Sequence, residues 1–175
     1  MIETDRLFIR QFVPADFDDL YEYLSNPATY LFEPGKPITP DEAKELCGLR
    51  SKSNEFLAVV LKQSGKMIGH LYFKQLEPAD RQSWELGYIF NPEYHRKGYA
   101  SEASAAMTKY AFANYKAHRI MARCNPDNTA SWKLLEKIGY IREGHFKKCG
   151  FVHKDNNGHP IWTDAYEYSK IAESS

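Results

Sequence analysis

Residues 84–103 read WELGYIFNPEYHRKGYASEA, and this stretch decides the fold. It begins with a short apolar run, turns at Asn91-Pro92, crosses a basic loop that ends in Gly98, and then enters a long run of helix-forming residues. A strand that feeds a helix through a tight glycine loop directs several backbone N–H groups at one point, beside the positive end of the helix dipole. We therefore expect an anion site at this loop, and a phosphate fits it best.

The composition of the chain narrows the classes of function. The sequence has 175 residues and a formal net charge of zero, so it predicts one domain over 1–175 without the broad basic surface that nucleic-acid binding needs. No apolar run approaches the ~20 residues of a membrane span, and the first residues lack a signal-type segment. The three cysteines are widely spaced and no His/Cys pattern has zinc spacing, so we expect no metal, reduced thiols and a cytoplasmic location.

Hydrophobic periodicity and turn residues predict the remaining elements. Strands are predicted at 6–10, 56–61, 67–73, 84–90, 118–123, 140–152 and 161–171. Four helices are predicted: one capped by Asp16, one capped by Thr39, one from 98 to about 115, and one that follows Asn128 and ends at Gly139. This order describes an α/β domain (an α+β mixed sheet) with hairpins early and late and a parallel crossover in the middle.

Three separated motifs resemble the GNAT acetyltransferase superfamily. They are ETDRLFIR at 3–10, GYIFNPEYHRKGYASEA at 87–103 and RCNPDNTASWKLLEKIGYIREG at 123–144. The first is similar to the N-terminus of the Rim-type (ribosomal-protein-alanine) N-acetyltransferases, and the resemblance spans essentially the whole chain. It implies a central mixed sheet with splayed middle strands and about four helices. It also implies acetyl-CoA as the acetyl donor and a primary amine, either a protein N-terminus or a small amine, as the acceptor.

The resemblance assigns the glycine loop to the CoA pyrophosphate, held by main-chain amides. The residues that it covers are His95, Arg96, Lys97, Gly98, Tyr99 and Ala100. His95 departs from the family, which has Gln or Arg there. Because backbone amides carry the contact, we expect a modest effect on binding, with pH sensitivity if the imidazole lies near a phosphate. The side chains of Arg96 and Lys97 would either add charge near the phosphates or remain solvated.

Two further segments are implied in CoA binding. Backbone groups of the preceding strand would meet the pantetheine arm, at Leu86, Tyr88 and Ile89. On the other side, Asn128 would bond a pantetheine amide and Ser131 would lie near the thiol sulfur. The alternatives are a helix cap for Asn128 and a small buried residue for Ser131.

Acetyl transfer to an amine needs a proton acceptor, an oxyanion donor and a partner for the leaving thiolate. In the superfamily that the chain resembles, a strand glutamate near the thioester often serves as the base, and Glu85 matches it in position. Glu85 shares one strand face with Gly87 and Ile89, where apolar neighbours would raise its pKa. The alternative is that Glu85 only holds a backbone group or an arginine. Ser131 is the predicted partner of the thiolate, with Tyr30, Tyr94 and Tyr140 as competitors, and a backbone N–H near Tyr88 or Ile89 is the expected oxyanion donor. Glu102, in the first turn of the long helix, is expected to support the loop.

The acceptor side rests on weaker signals. The loop at 30–40 and the late hairpin at 146–155 are expected to wall it. Glu33, Glu77 and Asp80 could attract a cationic amine, although loop acids are more often plain solvated charges. Two rival hypotheses remain: a catalytically inactive CoA-binding or regulatory module of the same fold, and an interaction domain that binds no phosphate. A homodimer is possible.

Overall fold

The computed structural model describes residues 1–173, and its centre is one eight-stranded sheet. The strands are β1 (Ile2–Glu3), β2 (Leu7–Gln11), β3 (Phe56–Leu61), β4 (Met67–Gln75), β5 (Ser83–Phe90), β6 (Arg119–Cys124), β7 (Ile141–Gly150) and β8 (Thr163–Ile171). Their spatial order is β1-β2-β3-β4-β5-β6-β8-β7, with every neighbouring pair antiparallel except the parallel pair β5–β6. The predicted mixed sheet with a central parallel crossover is therefore confirmed.

Four helices complete the fold, as predicted. They are α1 (Phe17–Leu24), α2 (Pro40–Arg50), α3 (Tyr99–Tyr110) and α4 (Thr129–Lys137), and α3 continues as a π-helical turn to Tyr115. None of the helices within residues 1–173 combines the length and apolar character needed to cross a bilayer.

The helices cover the two faces of the sheet with separate apolar clusters. Helices α3 and α4 pack on one face, where fully buried Ala103 and Met107 of α3 contact sheet residues that include Leu86. Helices α1 and α2 pack on the other face, where Leu20 and Cys47 join strands β3 and β4. Ala103 and Met107 belong to the helix face that their spacing predicts to be buried.

The helix ends test the predicted caps. Thr39 and Glu42 form the expected capping box, with Thr39 N donating to Glu42 Oε2 at 2.7 Å. Gly139 follows α4 with φ of +85°, the left-handed conformation that favours glycine after a helix. Asp16 holds the predicted N-cap position of α1, but its side chain makes no capping bond to that helix. Its carboxylate instead accepts from Val13 N at 2.8 Å and pairs with Arg10 at 2.7 Å, so it joins β2 to the turn before α1.

The two middle strands separate soon after they meet. Strand β5 pairs with β6 only from Ser83 to Glu85, opposite 119–121. Beyond that point β5 stays with β4 as far as Phe90, whereas β6 stays with β8 as far as Cys124. The sheet therefore divides into two halves that diverge from Leu86 onward, which is the expected splay.

Candidate active site

A cavity of about 880 Å³ begins where β5 and β6 part. Its walls come from both diverging strands, the loop before α3, the start of α4, the loop after α1 and the end of the β7–β8 hairpin. The predicted site residues that line it are Leu86, Tyr88, Ile89, His95, Arg96, Gly98, Tyr99, Ala100, Asn128 and Ser131. Two predicted residues, Glu85 and Lys97, are not among its lining.

The hydrogen-bond phase of β5 determines which backbone groups face this cavity. Asn91 N donates to Ile68 O at 2.9 Å, and Leu76 N donates to Ser83 O at 2.8 Å. In the antiparallel register of β4 and β5, these two bonds make the odd-numbered β5 residues the hydrogen-bonded partners of β4. The N–H and C=O groups of Leu86, Tyr88 and Phe90 consequently point toward the gap, whereas those of Ile89 are directed at β4.

The loop before α3 contains two residues in the left-handed conformation. Arg96 has φ of +61° and Gly98 has φ of +82°, so two left-handed residues lie within three positions and turn the chain sharply into the helix. Arg96 holds this conformation although it has a Cβ, a local strain of about 1–2 kcal/mol. Strained backbone of this kind is found where a loop must present its amides to a ligand.

Two side chains of the loop, those of His95 and Lys97, contact neighbouring protein groups. The His95 Nε2–H donates to Phe90 O at 2.9 Å, which occupies the carbonyl at the end of β5. The Lys97 ammonium lies 5.0 Å above the Tyr94 ring. His95 and Arg96 line the cavity, whereas Lys97 does not.

Arg6 and Glu102 connect the N-terminal segment to the loop before α3. Glu102 Oε1 accepts from Thr4 Oγ1 at 2.6 Å and from Arg6 N at 3.0 Å, and its Oε2 pairs with the Arg6 guanidinium at 2.6 Å. Arg6 Nη1 then donates to Lys97 O at 3.0 Å. Burial opposes ionisation of Glu102, but the bonds from Thr4 and Arg6 outweigh it and lower its pKa. Glu102 therefore supports the loop through Thr4 and Arg6, and the spacing of the sequence does not predict these two partners.

Helix α4 brings a hydroxyl pair into the cavity. Asn128 Oδ1 accepts from Ser131 N at 3.2 Å, so the side chain caps the helix while it also lines the cavity. Ser131 Oγ lies 2.9 Å from Tyr88 Oη, which crosses from β5. Burial raises the pKa of the Tyr88 phenol well above its ordinary range, although the bond with Ser131 partly offsets this rise. Both hydroxyls therefore remain protonated near neutral pH.

The other tyrosines proposed for this role are engaged elsewhere. Tyr30 Oη donates to Leu24 O at 2.9 Å, and Tyr140 Oη lies 2.9 Å from Thr108 Oγ1 in the core beneath α3. Tyr94 does line the cavity, beside the loop. The sequence does not predict the contact of the Tyr88 phenol with Ser131, because it indicates only that Tyr88 lies on a strand.

Cys124 lies at the end of β6 within the same wall. Burial raises the pKa of its thiol to about 11, and a bond with Ser131 moderates this rise. A thiol with that pKa is almost entirely protonated at neutral pH, and the thiolate is the nucleophilic form. Cys124 is therefore poorly suited to accept an acyl group.

The acidic candidates lie at different places. Glu85 occupies the last position at which β5 still pairs with β6, opposite Met121, and is half-buried on the sheet face of Gly87. Glu77 and Asp80 lie in the β4–β5 connection and do not line the cavity. Glu33 does line it, and burial raises the pKa of its carboxyl.

Comparisons with known proteins agree with this geometry. The family model "Acetyltransferase (GNAT) domain" matches residues 6–141. An uncharacterized N-acetyltransferase, YnaD of Bacillus subtilis, is 38% identical over 173 residues, which cover 98% of this chain and 97% of that protein. The [ribosomal protein uS5]-alanine N-acetyltransferase of Escherichia coli is 26% identical over 157 residues, which cover 83% and 80% of the two chains. A crystal structure of a GNAT-family acetyltransferase from Bacillus anthracis superposes with a TM-score of 0.87 at 35% identity and covers 97% of both chains.

The chain shares its fold with these proteins over nearly its whole length, and the family model covers the diverging strands β5 and β6 and the loop that leads into α3. The chain therefore belongs to the GNAT family of acetyl-CoA-dependent N-acetyltransferases.

Proposed function

We propose that this protein transfers the acetyl group of acetyl-CoA directly to a primary amine, a protein N-terminus or a small amine, within a ternary complex. The observation that carries the proposal is the continuous cavity between the diverging strands. Its wall joins the amide-lined loop at Gly98 to Glu33 and Phe151 on the far side, so two substrates could enter from different directions and meet between β5 and β6.

The CoA half of the cavity suits a phosphorylated, amide-bearing donor. Arg96, Lys133 and Lys137 supply positive charge around the loop and α4, where phosphates would lie. The outward-facing backbone groups of Leu86 and Tyr88 can pair with the amides of the pantetheine arm as a neighbouring strand would. Bound there, acetyl-CoA would supply a thioester carbonyl that an amine can attack.

Direct transfer is favoured over an acyl-enzyme by the state of the cavity thiol. Cys124 borders the proposed thioester position, but its raised pKa keeps it protonated. In direct transfer the acceptor ammonium first loses a proton, and the neutral nitrogen then forms the new bond to the carbonyl carbon. The C–S bond breaks, the nitrogen gives up a second proton, and the thiolate takes up a proton to leave as the thiol of CoA. The cavity-facing N–H of Tyr88 is our candidate donor for the oxyanion.

We assign the two remaining roles to Glu85 and Ser131. Ser131, held at 2.9 Å by the Tyr88 hydroxyl, would donate a hydrogen bond to the leaving thiolate. Glu85 lies one residue before the cavity-lining part of β5, so it would receive the proton of the acceptor through a bridging water.

Thermal unfolding with and without acetyl-CoA tests the donor site. At a ligand concentration a hundredfold above Kd, linkage adds ~2.7 kcal/mol. For a domain of this size that raises the Tm by roughly 5–10 °C. We expect this shift in the wild type and its loss in Gly98→Asp, which places a negative charge at the phosphate position. A folded wild type that shows no shift would refute the donor assignment.

An acceptor screen by thiol release then separates the enzyme from the inactive CoA-binding module. The proposal expects CoA release that depends on an added amine, and a large loss of kcat in Glu85→Gln and Ser131→Ala at unchanged CoA affinity. A CoA-dependent Tm shift with no turnover across peptide and small-amine acceptors would favour the regulatory module instead.

A further inference from the structure

The charged residues of the cavity wall come from different segments. The basic side chains are Arg96 of the loop, Lys133 and Lys137 of α4, and Arg123 of β6, which pairs with Glu167 at 2.7 Å. Within residues 1–173, the acidic residues of the wall are Glu33 and Asp164. Asp164 is neutralised within the fold: its carboxylate accepts from Lys148 N at 2.9 Å and pairs with Lys147 at 3.0 Å and His145 at 2.7 Å. Glu33 is the one lining carboxylate without a salt bridge among residues 1–173.

The loop that carries Glu33 is anchored on both sides. Before it, Thr29 Oγ1 donates to Tyr23 O at 2.6 Å and the Tyr30 phenol is fixed on Leu24 O. After it, Ile38 N also donates to Leu24 O, at 3.1 Å. Glu33 itself makes no hydrogen bond with the described residues. Its carboxylate is thus held at the cavity wall by neighbours, without forming a cap or an ion pair of its own.

A half-buried carboxylate with no partner is destabilising for the protein alone. Burial without a counterion penalises the charged form, which agrees with the raised pKa of Glu33 and its only cause, loss of solvent. A cation bound beside the carboxylate would offset this penalty. The field of Glu33 also reaches Tyr88, whose hydroxyl borders the proposed thioester position.

On the proposed function, we infer that Glu33 is the specificity residue that binds the acceptor as a cation, so that the acceptor is a primary ammonium compound. An ammonium bound beside Glu33 would supply the charge partner that this carboxylate lacks among the described residues. This role differs from the proton transfer assigned to Glu85. Glu33 acts on affinity for the amine, whereas Glu85 acts on the chemical step.

The test measures amine binding to the protein saturated with CoA, where no turnover takes place. Calorimetric titrations would use two probes, 1,4-diaminobutane and a short peptide with a free N-terminal amine, which separate the small-amine source from the peptide source. We expect at least one probe to bind the wild type, and its Kd to rise about 10- to 100-fold in Glu33→Gln. Glu33→Asp should recover part of this loss.

The matched control is Glu45→Gln, which removes the same charge from an exposed position of α2. It should bind amine as the wild type does, and Glu33→Gln should unfold at the same or a higher temperature than the wild type. Three results would overturn the inference. They are equal amine affinity in the wild type and Glu33→Gln, an equal loss of amine affinity in Glu33→Gln and Glu45→Gln, and no binding of either probe to the CoA-loaded wild type. Absence of CoA binding by the wild type would instead overturn the proposed function.

Discussion

Replacement of Glu102 by Gln tests whether the N-terminal segment holds the phosphate loop. Gln can still accept from Thr4 Oγ1 and Arg6 N through its remaining oxygen. Its amide NH₂, however, would face the Arg6 guanidinium where Oε2 now accepts at 2.6 Å. The substitution therefore replaces a charged pair by two opposed donors and loosens the bond from Arg6 to Lys97 O.

The expected magnitude follows from the exposure of the pair. Breaking hydrogen bonds to charged groups removes about 1.5–3 kcal/mol when they are buried, and exposed ion pairs contribute about 0–1 kcal/mol. The side chain of Glu102 is 20% exposed and that of Arg6 is 47% exposed, so solvent screens the pair and we expect an intermediate loss of about 1–1.5 kcal/mol. For a domain of this size, the Tm should fall by about 2–6 °C. Because Arg6 also holds the loop, the Kd for CoA should rise several-fold, up to about tenfold.

Acid dependence supplies an independent check. The pKa of Glu102 is lowered in the folded state, so its contribution is present above the unfolded pKa of about 4.3 and is lost as the pH falls through the folded pKa. Urea unfolding curves of wild type and Glu102→Gln should hence differ at pH 7 and converge as the solution becomes acidic. A double-mutant cycle with Arg6→Gln should give a coupling of about 1 kcal/mol. Equal stability at pH 7, a difference that does not depend on pH, or additive effects of the two substitutions would refute the argument.

Three shorter predictions follow from the cavity wall. Tyr88→Phe should lower kcat about tenfold, less than the roughly 10²–10³-fold loss that follows removal of a donor in direct contact with the oxyanion, because the phenol acts only by positioning Ser131. The affinity for CoA should not change; single-turnover kinetics would measure the rate, and a change confined to CoA affinity would contradict the prediction. A maleimide at pH 7 should modify exposed Cys149 quickly and Cys124 slowly, since burial raises the pKa of Cys124 to about 11; mass spectrometry of digests would show the order, and faster labelling of Cys124 would be inconsistent with it. Gly98→Ala should lower stability by about 1–2 kcal/mol because φ is +82° there, which denaturant unfolding can measure, and a variant as stable as the wild type would mean that the loop relaxes.

The features that the sequence predicts correctly are those fixed by a few neighbouring residues. The capping box of Thr39 and Glu42 depends on a four-residue interval, and Gly139 meets a conformational demand at one position. The loop at Gly98 belongs to the same class, since glycine is favoured where a left-handed residue must precede a helix. Asp16 shows the limit of such reasoning, because a pairing with Arg10 of β2 competes with the local cap.

The functional side chains depend on tertiary contacts that no interval encodes. Arg6 reaches Lys97 and Glu102 only because β2 and the start of α3 come together in the fold, across more than ninety positions of the chain. The bond between Tyr88 and Ser131 likewise joins a strand to a helix from the other half of the sheet. The sequence shows that these residues can form hydrogen bonds, but its periodicity does not predict that Arg6 contacts Glu102 or that Tyr88 contacts Ser131.

The position at which β5 and β6 stop pairing determines that Glu33, and not Glu85, lines the cavity. Alternation along β5 places Glu85 on the face of Gly87 and Ile89, and this remains true in the fold. Whether that face borders a cavity is decided by the last β5–β6 pair, which ends at Glu85 itself because each strand is held by its other neighbour, β4 or β8. A break two residues earlier would have opened the cavity beside Glu85. As the strands actually part, the lining carboxylate without an ion pair is supplied by Glu33, from a loop whose sequence indicates only a turn.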